Sequence, residues 1–181
     1  MLRRRILTVL LVIAVANIVV FAIERRAYTP LKVPTQSMWP TLQAGDRIGV
    51  DHHVSLKELK RGDLVVFAVS RTSTHPVKPA KSGSSKLLVK RVIALPGESA
   101  EAHKGYVVGE QFDKYLPEPY LLGKRGHTEF PFTKIGKNEI FVLGDNRDKS
   151  VDSRVFGPVP AEAVVGRVAF RYWPPNRFER F

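Results

Sequence analysis

The sequence predicts a mainly β protein behind a single N-terminal apolar helix. Three observations carry that expectation. Residues 6–23 are apolar at sixteen of eighteen positions, interrupted only by Thr8 and Asn17. Beyond residue 28, short runs rich in Val, Ile and Phe are punctuated by Gly, Pro and Asp, the pattern of strands and tight turns. Only residues 55–60 and 161–164 carry short helical character.

The elements follow in order. At ~1.5 Å per residue, residues 6–23 extend roughly 27 Å, the thickness of a bilayer hydrocarbon core. The run is apolar on every face, unlike a surface helix with one apolar stripe. Arg3, Arg4 and Arg5 precede it, so residues 1–5 are expected in the cytoplasm and the rest of the chain outside. A cleavable export signal shares that basic start. Its small-x-small site would be Val20-Phe21-Ala22, inside the apolar run, so an uncleaved anchor is preferred. Strands are expected over residues 47–50, 64–69, 87–95, 105–108, 139–143 and 164–172. Arg61-Gly62-Asp63, Leu95-Pro96-Gly97 and Gly144-Asp145-Asn146 supply turns. Residues 70–86 show no apolar periodicity and read as a flexible surface loop. Residues 98–137 are richer in Gly, Pro and charge than their flanks. They read as a smaller lobe inserted between core segments 28–97 and 138–181.

Composition removes several chemistries. The 181 residues include no cysteine, which excludes a disulfide scaffold, a cysteine-ligated zinc and a cysteine nucleophile. His52, His53, His75, His103 and His127 are scattered without metal spacing. Asp148-Lys149-Ser150-Val151-Asp152 mimics the start of a calcium loop, but Ser153 and Val159 occupy the positions that need Gly and Glu. No metal or cofactor is expected. The formal charge is +12, which points to nucleic acid or an anionic membrane surface. No nucleic-acid-binding module is present in the sequence. Residues 1–26 carry five Arg and one Glu, a net of +4 that leaves +8 for the remainder.

Three segments carry chemistry. In Pro34-Thr35-Gln36-Ser37-Met38-Trp39-Pro40-Thr41-Leu42, two prolines bracket a serine and stiffen an extended backbone; an ordinary Pro-rich linker has the same local look. In residues 86–95, Lys90 shares a strand face with Leu88, Val92 and Ala94, and Arg91 shares the other with Val89, Ile93 and Leu95. With both faces apolar, the lysine either snorkels to solvent or is desolvated. If desolvated, its pKa falls and it can serve as a general base. Residues 144–154, Gly-Asp-Asn-Arg-Asp-Lys-Ser-Val-Asp-Ser-Arg, hold more hydrogen-bonding groups than a hairpin tip needs. They fit a site-supporting network, or a solvated salt-bridged loop.

Taken in order, these segments resemble type I signal peptidases, membrane-bound serine proteases with a Ser/Lys dyad. Ser37–Thr41 reads S-M-x-P-T, followed by Gly45-Asp46-Arg47-Ile48, by residues 61–67, by residues 90–98 and by the G-D-N-R-D-x-S-x-D-S-R string of residues 144–154. Gly157-Pro158-Val159-Pro160 and residues 166–174 also fit. Residues 70–86 and much of 98–137 do not match. The resemblance implies a largely antiparallel β catalytic core with a small inserted β lobe. It implies Ser37 as nucleophile and Lys90 as its general base. Thr35 and the Ser37 N–H would form the oxyanion hole, and Ser150 would orient the lysine. Asp145, Asp152 and Arg154, with Arg91, would brace the loop. Met38 and Trp39 suit an apolar rim facing membrane and substrate; Trp39 suits a core position equally well.

The partners implied are the signal peptides of exported preproteins, cut after small residues at −1 and −3, and membrane lipid, with no nucleic acid. A monomer is expected. The location implied is a bacterial cell membrane, crossed once, with the catalytic part outside. The alternatives are a mitochondrial inner-membrane processing peptidase, a pilus-related maturation peptidase and, from another class, a basic membrane-anchored binding protein. The last would explain the charge but not the ordered motifs.

Overall fold

The computed structural model describes residues 6, 10–15, 28–70, 85–121, 125–126 and 128–181. Residues 6 and 10–15 are helical and expose their apolar side chains. Most of the expected anchor over residues 6–23, and residues 1–5, lie outside the described residues. Among those described, no helix is long and apolar enough to cross a membrane.

Strands β1 (Tyr28–Lys32), β2 (Arg47–Asp51), β3 (Leu64–Ser70), β4 (Ser85–Ala94), β8 (Glu139–Leu143), β9 (Val159–Pro160), β10 (Val164–Trp173) and β11 (Glu179–Arg180) form one sheet. Its order is β1-β2-β10-β3-β4-β8-β9, with β11 on β10, and every pairing is antiparallel. A second sheet, in order β6-β5-β7, comprises β5 (Ser99–His103), β6 (Tyr106–Val108) and β7 (Phe130–Lys134). It falls within residues 98–137. A single helical turn, Ser153–Phe156, follows β8.

The centre of the large sheet is covered on both faces. Along β3, Val65 and Phe67 pack with Val92, Val142 and Phe156, whereas Leu64 and Val66 pack with Met38, Leu42, Ile48 and Val168. Alternate residues of one strand thus feed two cores. A third cluster joins the sheets: Ile93, Ala94, Phe141 and Leu143 of the large one meet Ala100, Ala102, Val107 and Phe130 of the small one.

Several expectations need correction. The loop expected over residues 70–86 is shorter at both ends, because the β3–β4 ladder continues to Val69↔Lys86 and Ser70↔Ser85; residues 71–84 lie outside the described residues. Strands β1, β5, β7, β9 and β11 lie outside the runs expected from the sequence. β1 and β7 each contain a proline and lie at a sheet edge, where a missing N–H costs no ladder bond, and β9 and β11 are only two residues long. The strict alternation over residues 88–94 also fails. A register shift between Val92 and Ala94 turns both Ile93 and Ala94 toward the inter-sheet cluster, the effect of a bulge.

Candidate active site

Ser37 sits on a turn. The segment after β1 closes on itself through Trp39 N–H to Gln36 O at 3.1 Å and Leu42 N–H to Met38 O at 2.8 Å. The extended backbone expected from the two prolines is therefore a turn, pinned from beneath by burial of Met38 and Leu42. Met38, expected at an apolar rim, is 1% exposed. Its long apolar side chain faces inward with Ile48 and Val66 because the turn directs residue 38 opposite to residue 37. Trp39 is half-buried and lines a cleft with Gln36, Pro40, Asn146 and Lys149.

Lys90 comes from β4, opposite Val65. It is 2% exposed, so it does not snorkel. Its Nζ lies 2.7 Å from Ser37 Oγ. Burial pushes its pKa down to about 8, against the opposing pull of the Asp152 and Asp145 carboxylates. An ammonium loses more hydration on burial than the neutral amine does, so the neutral form gains. Thr35 Oγ1 stands 3.2 Å from Ser37 Oγ on the exposed side of the turn.

The residues expected as braces form two ion pairs, one buried and one partly buried. Arg91 donates to both carboxylate oxygens of Asp145, at 2.8 and 2.6 Å. It also donates to Gly62 O at 2.7 Å and to Thr41 Oγ1 at 3.1 Å, while Thr41 Oγ1 donates to Asp145 at 2.5 Å. Arg154 donates to Asp152 at 2.8 Å, and Asp152 accepts the Gly144 N–H at 3.0 Å. Asp152 also caps the helical turn by accepting from Arg154 N–H. Such pairs satisfy buried charges that would be costly alone.

The loop after β8 meets the Ser37 turn directly. Asn146 N–H donates to Ser37 O at 3.0 Å, and Asn146 Nδ2 donates to Gln36 O at 3.1 Å. The approach needs a glycine at 144: a Cβ there would stand 2.1 Å from Ser150 Oγ and 2.6 Å from Ser37 O. Ser150, expected to orient Lys90, is positioned in this packing, but its buried Oγ makes no hydrogen bond. The expected bond to the lysine is not formed, since the hydroxyl is directed against Gly144.

Residues 5–173 match the family described as signal peptidase, peptidase S26.

The chain belongs to the signal peptidase family, peptidase S26.

It is 32% identical over 194 aligned residues to signal peptidase IB of Staphylococcus aureus strain COL, covering 98% of this chain and 94% of that one. It is 34% identical over 155 residues to a probable signal peptidase I-1 of Synechocystis, covering 82% and 73%. A crystal structure of a signal peptidase I from Enterococcus faecalis aligns with 62% of this chain and 98% of its own, at 28% identity and a TM-score of 0.47.

In this member of the signal peptidase family, four buried or half-buried groups escape the sequence reading. Arg147 donates to Gly144 O at 3.1 Å and to Thr128 Oγ1 at 3.2 Å, and pairs with Glu118. Tyr120 donates to Glu118 at 2.9 Å, and its ring lies 3.8 Å from the Arg91 guanidinium carbon. Arg147 lies inside the G-D-N-R-D string, so a signal existed for it. Glu118, Tyr120 and Thr128 belong to residues 98–137, where no motif marks them.

Proposed function

We propose that this protein is a type I signal peptidase that removes signal peptides from exported preproteins, with Ser37 as nucleophile and Lys90 as general base. The observation that carries the reading is the 2.7 Å approach of a buried lysine amine to the Ser37 hydroxyl. A serine hydroxyl becomes nucleophilic when a base takes its proton. An ordinary lysine is protonated at neutral pH and cannot do so. With its pKa lowered to about 8, a useful fraction of Lys90 is neutral, and the Ser37 O–H can donate to Nζ.

Attack of Ser37 Oγ on the scissile carbonyl carbon forms the tetrahedral oxyanion, and Lys90 gains the proton. The ammonium returns it to the leaving amine as the C–N bond breaks. Water then attacks the acyl-enzyme, with Lys90 again as base. The Thr35 hydroxyl and the Ser37 N–H serve the oxyanion; the position of Thr35 beside Oγ supports that role. Asp145, Asp152, Arg91 and Arg154 hold the surrounding loop. Trp39 forms part of the rim. Small residues at −1 and −3 are preferred, and residues 6–23 anchor a monomer in a bacterial membrane with its catalytic part outside.

The test is cleavage of a preprotein by the full chain in detergent. Ser37→Ala and Lys90→Ala are each expected to abolish cleavage while circular dichroism stays unchanged. Activity surviving either change would overturn the assignment.

A further inference from the structure

Resting on that reading, we propose that the small inserted lobe is a latch for the catalytic loop, with Glu118 as its positioning residue. The lobe reaches the site through side chains that have no other evident task. The Glu118 carboxylate is fully buried and held by two arginines. Arg147 of the catalytic loop donates to it, and Arg125 of the lobe approaches to 3.5 Å. Arg147 is also buried, and the same guanidinium holds Gly144 O and Thr128 Oγ1. Gly144 and Asn146 flank Asp145, and Asn146 supports the backbone of Ser37 and Gln36. A continuous path therefore runs from Glu118 through Arg147 to the turn that presents the nucleophile.

A second arm leads to the base. Tyr120 donates to Glu118, and its ring covers Arg91, whose neighbour in β4 is Lys90. The segment around Gly126 closes the grip, since a Cβ there would stand 2.9 Å from Arg147 Cβ. Glu118 is thus the shared acceptor of both arms. Removing its charge leaves Arg147 buried without its counter-ion, which forces the loop to reorganise.

Glu118→Gln separates this role from a merely structural one. It is to be measured in the full chain in detergent, with a preprotein carrying small residues at −1 and −3. Lys90 is faced by Asp152, Asp145, Arg154 and Lys86. Loss of one more carboxylate would lower the pH at which the lysine titrates. Loosening of the loop admits water and raises it. The latch predicts an upward move of the midpoint in kcat against pH. It also predicts a fall of about tenfold in kcat with KM changed by less than about twofold. An unchanged kcat, or a fall with the midpoint fixed or lowered, would overturn it. Should Glu118→Gln not fold, Thr128→Val removes one Arg147 acceptor and is expected to shift kcat and the midpoint in the same directions. No shift in that variant would equally refute the latch. Ser37→Ala runs beside them: if it cleaves, or the parent does not, the signal peptidase reading itself has failed.

Discussion

At the scale of the residue, the proposed role of Lys90 as general base ties the rate to its titration. With a folded pKa of about 8, kcat/KM should rise about tenfold per pH unit below that value and level above it. A rise centred near pH 10 in a rate profile would contradict burial of the amine. The same shift acts on stability. Below pH 8 both folded and unfolded chains hold the proton, and the folded state bears the full cost of burying the ammonium. Between about 8 and the ordinary value of 10.5, the unfolded chain holds more protons, so stability rises with pH. Lys90→Met should therefore stabilise the fold at pH 7, by at most about 3 kcal/mol, in denaturant titrations; a destabilised variant would show that its hydrogen bond outweighs its desolvation. Thr35→Val should lower kcat by about 10²-fold with little change in KM, as loss of an oxyanion donor does.

At the scale of the element, the site depends on loops held by strand ends. The approach of the post-β8 loop to the Ser37 turn leaves no room at Gly144. Gly144→Ala must displace either Ser150 or the Ser37 carbonyl, and the second is backbone. A loss of at least about 2 kcal/mol in the unfolding free energy, together with loss of cleavage, is expected. An active, equally stable Gly144→Ala protein would show that the turn is free to move. Asp145→Asn leaves the buried Arg91 charge without its carboxylate, a cost of about 3–5 kcal/mol by denaturant melting.

At the scale of the whole molecule, charge and topology meet. In the proposed membrane setting, the +8 outside residues 1–26 would favour contact with anionic lipid, where each well-placed Lys or Arg contributes about 1 kcal/mol. Because the chain has no cysteine, single-cysteine labelling reports orientation without background. Lys137→Cys should react with an impermeant maleimide in intact cells, and Leu2→Cys only after lysis. The reverse pattern would overturn the proposed topology.

The strands of the core and the order of its motifs follow from sequence alone, because alternation of apolar residues and turn chemistry are local signals. Ser37, Lys90 and the loop of residues 144–154 are marked by residue type within short segments. Edge strands β1 and β7 are not legible, since proline weakens a strand signal that only position in a sheet restores. Nor is the inward turn of Met38, which depends on the core beneath it. Lys90 shows the division most clearly. Its apolar strand is written in the sequence, but two outcomes, snorkelling and desolvation, were open to it. Fifty-three residues separate it from Ser37, and only the packing of the turn over β4 closes that gap and excludes the water that would keep the amine charged. The residues of the proposed dyad were determined by the chain, and the lowered pKa of Lys90 by the burial that tertiary structure imposes.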